Sequence, residues 1–101
     1  MKIIKEDKYN HIIAEIDKPT LILFTTTRCT FCRTMEKILK EFKSEKILIF
    51  KITSESESLI KKYNIRAFPT ILTFDKNKKP IEKLVGLKSK IVVKESIGLI
   101  S

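Results

Sequence analysis

The 101-residue chain is about the size of one compact domain, and 43% apolar against 33% charged residues gives it enough hydrophobic surface to exclude disorder. Two Gly and three Pro exclude collagen-like and low-complexity readings, and no apolar run approaches the roughly 20 residues that a bilayer crossing needs. The 21 Lys and Arg against 12 Asp and Glu give a net charge of +9, which steers acidic partners toward the chain but says nothing about fold.

Met1-Lys2-Ile3-Ile4-Lys5-Glu6-Asp7 is charged where a signal peptide would be continuously apolar, so a soluble cytoplasmic protein without membrane contact is expected. Met1 to Lys5 can form a short first strand. From Asp7 onward Tyr9, Ile12, Ile13 and Ile16 recur at helical spacing, with Asp7 as the expected N-cap and Pro19 as the stop. His11 falls opposite that stripe and reads as an exposed surface residue. Thr20-Leu21-Ile22-Leu23-Phe24-Thr25, uncharged and β-favouring, suits a central strand buried on both faces.

Past the two cysteines, Met35, Ile38, Leu39 and Phe42 share one helical face while Lys37, Lys40, Glu41 and Lys43 take the other, with Glu36 and Lys40 as an i,i+4 pair. Ile47 to Ile52 reads as another strand. Ser54 with Glu57 forms a capping-box pattern for a short helix whose inner face is Leu59, Ile60 and Tyr63, and Asn64 suits its left-handed C-cap. Thr70 to Phe74 and Ile81 to Val85 are two strands joined by the turn-rich Asp75 to Pro80. Gly86 ends the second, and Ser89 caps a closing helix bearing Val92, Val93, Ile97 and Ile100.

This order of elements, with crossovers first and a hairpin last, predicts one α/β domain over residues 1–101. It would be a mixed central sheet of about five strands flanked by about four helices, without repeat or linker. The densest lysine cluster, Lys76, Lys78, Lys79 and Lys83, has no aromatic alternating with it. Nucleic-acid binding is therefore not expected, and the lysines read as a solvated surface that could at most favour acidic clients.

The two cysteines, Cys29 and Cys32, carry most of the functional information. A bridge between residues three apart closes too small a loop to stabilise a fold much, and a zinc site wants four ligands where one chain offers this pair and His11. Two chains sharing a metal or iron-sulfur cluster is the alternative. Redox chemistry is the leading reading. Cys29-Thr30-Phe31-Cys32 lies where a buried strand meets an amphipathic helix, outside the carboxyl end of the sheet. Unpaired amides and the helix dipole favour a thiolate at Cys29, and the flanking Arg28 and Arg33 push the same way. Cys32, one turn deeper, would resolve the mixed disulfide that Cys29 forms.

Here the sequence resembles the thioredoxin family. The resemblance runs from the first helix onward and rests on the strand leading into Cys29 and Cys32, on Tyr63-Asn64-Ile65-Arg66-Ala67-Phe68-Pro69-Thr70, and on Leu84-Val85-Gly86. It implies the thioredoxin fold and a thiol-disulfide oxidoreductase that needs no cofactor beyond its Cys29–Cys32 disulfide. It also implies a cis-proline at Pro69, client pairing along the Phe68 backbone, and close client approach at Gly86. Arg28, Thr30, Phe31, Phe68, Pro69 and Gly86 are thus the expected client-binding residues, and Arg33 the expected tuner of the thiolate. The expected partners of a monomer are disulfide-containing client proteins and a recycling reductase.

Several positions depart from the family pattern. Leu23 stands where thioredoxins have a buried aspartate that helps the second cysteine lose its proton. An ungapped count back from Pro69 puts Phe50 at the family's lysine position and turns Lys51 to the strand's other face. Arg28 replaces the usual tryptophan, and Thr30-Phe31 replaces Gly-Pro. Phe31 is similar to the aromatic that glutaredoxins place before the second cysteine, which makes a glutathione-dependent reductase the alternative. Against it, Phe68 replaces the valine of that family, and its Gly-Gly is absent. A non-catalytic binding module on the same fold is the rival from another class.

Overall fold

A computed structural model describes residues 1–42 and 45–101; the Lys43 assignment to the outer helix face lies outside the described residues. In chain order the elements are β1 (Lys2–Ile3), a 3-10 turn (Glu6–Lys8), α1 (Tyr9–Glu15), β2 (Thr20–Thr25) and α2 (Thr30–Lys40). There follow β3 (Leu48–Thr53), α3 (Glu57–Lys62), β4 (Thr70–Phe74), β5 (Pro80–Val85) and α4 (Lys90–Ile100). The strands pair in the order β1-β3-β2-β4-β5. β1, β3 and β2 run parallel, while β4 is antiparallel to β2 and β5 to β4, the mixed sheet closed by a hairpin that the element order predicts.

All six residues of β2 are buried, as an uncharged central strand requires. Their alternation divides the core in two. Ile22 and Phe24 face one layer with Tyr9, Phe50, Ile52, Leu59, Ile65, Leu72 and Phe74. Leu21 and Leu23 face the other with Met35, Leu39, Ile71 and Val93, so that α2 and α4 cover this side. At the far end of the molecule the hairpin turn is held by Asp75, whose carboxylate accepts the amides of Asn77 and Lys79, with Lys78 at φ 67°.

Three local expectations are corrected. The first strand is confined to Lys2–Ile3, although Ile4 still donates its amide to the Lys51 carbonyl at 2.8 Å. Asp7 does not cap α1; it lies within the 3-10 turn, and Lys8 is the N-cap without a side-chain bond. The Ser54 and Glu57 capping box does not form, because α3 starts at Glu57 behind Ser56, and the Ser54 hydroxyl bonds that of Thr26 at 2.8 Å. The cap of α3 comes from 52 residues away. One carboxylate oxygen of Glu6 accepts the Ser58 amide at 2.6 Å, the Ser58 hydroxyl, and the Leu59 amide at 3.3 Å. This places an acid on the positive end of the helix dipole, where it satisfies otherwise unpaired donors. Asn64 (φ 52°) and Ser89, whose hydroxyl accepts the Val92 amide at 3.3 Å, act as the sequence suggests.

The register of β3 also corrects the ungapped count. Ile22 lies opposite Phe50 and Leu23 opposite Lys51. Phe50 is therefore in the α1 and α3 core, and Lys51 shares the α2 face with Leu23. An offset of one residue exchanges the two faces of a strand.

The Glu6 cap has a measurable pH signature. The hydrogen bond from the Ser58 hydroxyl holds the Glu6 carboxyl below its usual value, partly opposed by desolvation and aided by the Ser58 and Leu59 amides. A depressed carboxyl stabilises the fold above its unfolded pKa, and the contribution is lost as pH falls through the folded value. Glu6→Ala is expected to lower the urea midpoint at neutral pH, and the gap to the parent should close on acidification below the ordinary carboxylate range. A gap independent of pH would contradict the cap.

Candidate functional site

The site grows from the way the chain leaves β2. Thr25 ends a fully buried strand, and Thr26, tied to Ser54, anchors the exit beside the end of β3. Arg28 then adopts φ 56°, a left-handed conformation that costs a non-glycine residue about 1 kcal/mol, and turns the chain into α2. Cys29 is the N-cap of that helix, with φ −118° and ψ 102°. Its sulfur accepts the Cys32 amide at 3.1 Å, where an oxygen cap would ordinarily sit. Cys29 and Cys32 are joined as a disulfide, their Cα atoms 5.2 Å apart.

Burial separates the two sulfurs. Cys29 is partly exposed, whereas Cys32, inside the first turn of α2, is 2% exposed. The helix is seated by Met35 and Leu39, both fully buried against Leu21, Leu23, Ile71 and Val93. Two further segments converge on the pair. The first is Arg66 to Thr70, where the Phe68–Pro69 peptide bond is cis, the Phe68 carbonyl oxygen lies 4.0 Å from the Cys29 sulfur, and the Thr70 hydroxyl donates to the Ala67 carbonyl at 2.7 Å. The second is the turn after β5. Gly86 donates its amide to the Pro69 carbonyl at 2.8 Å, and Lys88 donates its amide toward the Met35 sulfur at 3.3 Å. Gly86 sits at φ 87° with open space where a Cβ would stand, so it is the backbone turn that calls for glycine.

The structure brings Arg28, Phe68, Pro69 and Gly86 together around Cys29. Thr30 and Phe31 stand exposed on the first turn of α2, Phe31 at 58% exposure. Arg33 is exposed on the same turn and lines a cavity of about 260 Å³ beside the disulfide with Arg28, Cys29, Cys32, Glu36 and Lys51. His11 is far out on α1, facing Glu15. Among the described residues no group of three or more His, Cys, Asp or Glu is placed to hold a metal ion.

Two residues of this cavity escaped the sequence reading. Glu36, expected to pair with Lys40 one turn on, pairs instead with Lys51 from β3, and both side chains are about one-fifth exposed. The ungapped count turns Lys51 to the wrong face, and the i,i+4 pattern gives Glu36 the wrong partner. The signal for Glu36 was its spacing of four from Cys32, which puts both on one helical stripe. A groove of about 540 Å³ lies at the other end of α2 and β3, between Met1, Leu39, Leu48 and Ile49, and neither cysteine lines it.

Among known proteins, the family profile described as Thioredoxin matches residues 1–98. The chain is similar to a chloroplastic M-type thioredoxin of Spinacia oleracea, 28% identical over 98 residues that cover 93% of this chain and 54% of that one. It is similar to the chloroplastic thioredoxin Y1 of Arabidopsis thaliana, 33% identical over 79% of this chain and 48% of that one. A thioredoxin of Rickettsia bellii is 28% identical over 86% of each chain. The chain spans about half the length of these plant relatives. The solved thioredoxin of Malassezia sympodialis shares the fold with a TM-score of 0.83 at 21% identity, over 99% of this chain and 90% of that one.

The seat of α2 and its exposed turn should respond differently to truncation. Met35→Ala is expected to cost about 2–5 kcal/mol in urea denaturation, while Phe31→Ala should change stability by no more than about 0.5 kcal/mol. Equal effects would contradict the burial described.

Proposed function

Because its Thioredoxin profile match spans residues 1–98, the chain belongs to the thioredoxin family, and from that premise we propose a thiol-disulfide oxidoreductase that reduces or exchanges disulfides of client proteins. The observation that carries the proposal is the division of labour at the head of α2: a partly exposed sulfur at the N-cap, bonded to a backbone amide, with a buried partner one turn on.

In the reduced protein the Cys32 amide and the positive end of α2 favour negative charge on the Cys29 sulfur, and Arg28 and Arg33 add to that field. The Cys29 thiolate attacks one sulfur of a client disulfide. A Cys29–client bond forms, the client S–S bond breaks, and the first client thiolate leaves. Cys32 then loses its proton and attacks the Cys29 sulfur, which forms the Cys29–Cys32 disulfide and releases the second client thiolate. Two electrons pass from the dithiol to the client and two protons follow, so no cofactor beyond the disulfide is needed. A recycling reductase returns both electrons.

Client recognition in this reading is largely backbone recognition. The Phe68 backbone beside the cis bond is open to an extended segment, which would add to it as a strand, with Pro69 shaping the floor and Gly86 leaving room above. Arg28, Thr30 and Phe31 form the rim. We further propose that the protein works as a monomer in the cytoplasm; among the described residues no helix is long and apolar enough to cross a membrane, and the similar Rickettsia chain fits that setting. The relatives compared are thioredoxins, which supports this reading over the glutathione-dependent alternative that Phe31 suggests.

Replacing Cys32 with Ser is expected to trap a covalent mixed disulfide with an insulin-like substrate through Cys29, seen by mass spectrometry. Cys29→Ser should abolish reduction. Undiminished reduction by Cys29→Ser would overturn the assignment, and a pair inert toward both substrate and reductase would favour the non-catalytic binding module.

A further inference from the structure

The resolving step poses a physical problem that the cysteines do not solve. Cys32 is 2% exposed, and a buried thiol is disfavoured from ionising unless a nearby group takes its proton. On the sheet face beneath α2, β2 contributes Leu21, Leu23 and Thr25, none of which takes a proton near neutrality; Leu23 is fully buried opposite Lys51, and Thr25 lines the cavity. The cavity of about 260 Å³ that reaches Cys32 is roomy enough for water. Among the described residues two carboxylates line it, Glu36 and Glu55. Glu55 is exposed beyond the end of β3, whereas Glu36 is 21% exposed, one helical turn from Cys32 on the same stripe of α2.

We propose that Glu36, held over the cavity by its ion pair with Lys51, accepts the proton of Cys32 through water in the resolving step, with Lys51 as its positioning residue. The inference rests on the oxidoreductase reading above. The proton moves from the Cys32 sulfur to the Glu36 carboxylate and from there to bulk water. The electron pair left on Cys32 forms the bond to the Cys29 sulfur as the bond from Cys29 to the client breaks. Lys51 holds the carboxylate over the cavity and lends positive charge to the same space. The other charged groups facing this space are Arg28 and Arg33 from the head of α2 and Glu55 from the turn after β3. Both arginines favour the thiolate, and Glu55 at the outer edge opposes it weakly.

A chromogenic aromatic disulfide, dithionitrobenzoate, separates the two chemical steps in one mixing experiment with the reduced protein. The first coloured thiolate is released when Cys29 attacks, and the second when Cys32 resolves the Cys29 adduct. Glu36→Gln is expected to slow the second phase at neutral pH by about 100-fold, the lower end of general-base contributions. Its pH profile should move to the alkaline side, with the rates of variant and parent converging at high pH, where hydroxide deprotonates Cys32 directly. Lys51→Met should shift the same profile in the same direction. Glu41→Gln, which removes an exposed acid at the far end of α2, should leave both phases unchanged.

A second phase in Glu36→Gln with the parental rate and pH profile would overturn the inference. So would a loss shared equally by both phases, which would report damage to the helix. If the first phase is absent in the parent protein, the oxidoreductase reading itself fails, and the two failures are thereby distinguished.

Discussion

The site depends on one hydrogen bond, from the Cys32 amide to the Cys29 sulfur. The first turn of a helix leaves amides without intrahelical partners, and a side chain at the N-cap ordinarily meets this need with oxygen. Here sulfur does so. The same contact that starts α2 thereby concentrates positive potential on the sulfur proposed to react, so the proposed redox chemistry and the helix boundary are one constraint. Much of the rest of the structure holds that boundary still. Buried β2 fixes where the chain emerges, the left-handed turn at Arg28 reverses it, and Met35 and Leu39 pin the helix to the sheet.

The second requirement is access on one side only. The cis bond at Pro69, the Gly86 turn bonded to its carbonyl, and the exposed Thr30-Phe31 rim leave Cys29 open, while Cys32 faces the interior. In the proposed reaction that asymmetry lets one sulfur capture and the other release. The α2 layer, apolar at Leu21, Leu23 and Met35, becomes polar where Glu36 and Lys51 meet beside Cys32. A core built for packing alone would have no reason to bury an ion pair mostly out of water, since such pairs contribute little net stability.

The legible parts of this protein were those governed by local pattern. Uninterrupted apolar character marked β2, helical spacing marked Met35 and Leu39, and the cysteines at the strand-to-helix junction marked the site, because each signal lies within a few residues of what it determines. Failures came where a distant partner decided. Ser54 had the spacing of a cap, but its hydroxyl found Thr26, and the cap of α3 was supplied by Glu6. Ser96 in α4 is buried because Glu82 of β5 accepts its hydroxyl at 2.7 Å, a contact no local pattern announces. Lys51 shows the sharpest sensitivity: a one-residue error in counting along β3 sent it to the wrong layer, and with it the pair with Glu36 disappeared from view. Arg28 carried no glycine or asparagine signal for its left-handed turn.

The most direct test of the N-cap account is the rate of iodoacetamide alkylation of each cysteine in the reduced protein, followed across pH and assigned by peptide mapping. The account predicts that Cys29 alkylates alone, with a rate rising through a pH below that at which a cysteine in an unstructured peptide ionises, while Cys32 stays protected. Alkylation of Cys29 that follows the unstructured-peptide curve, or equal reaction at Cys32, would contradict it.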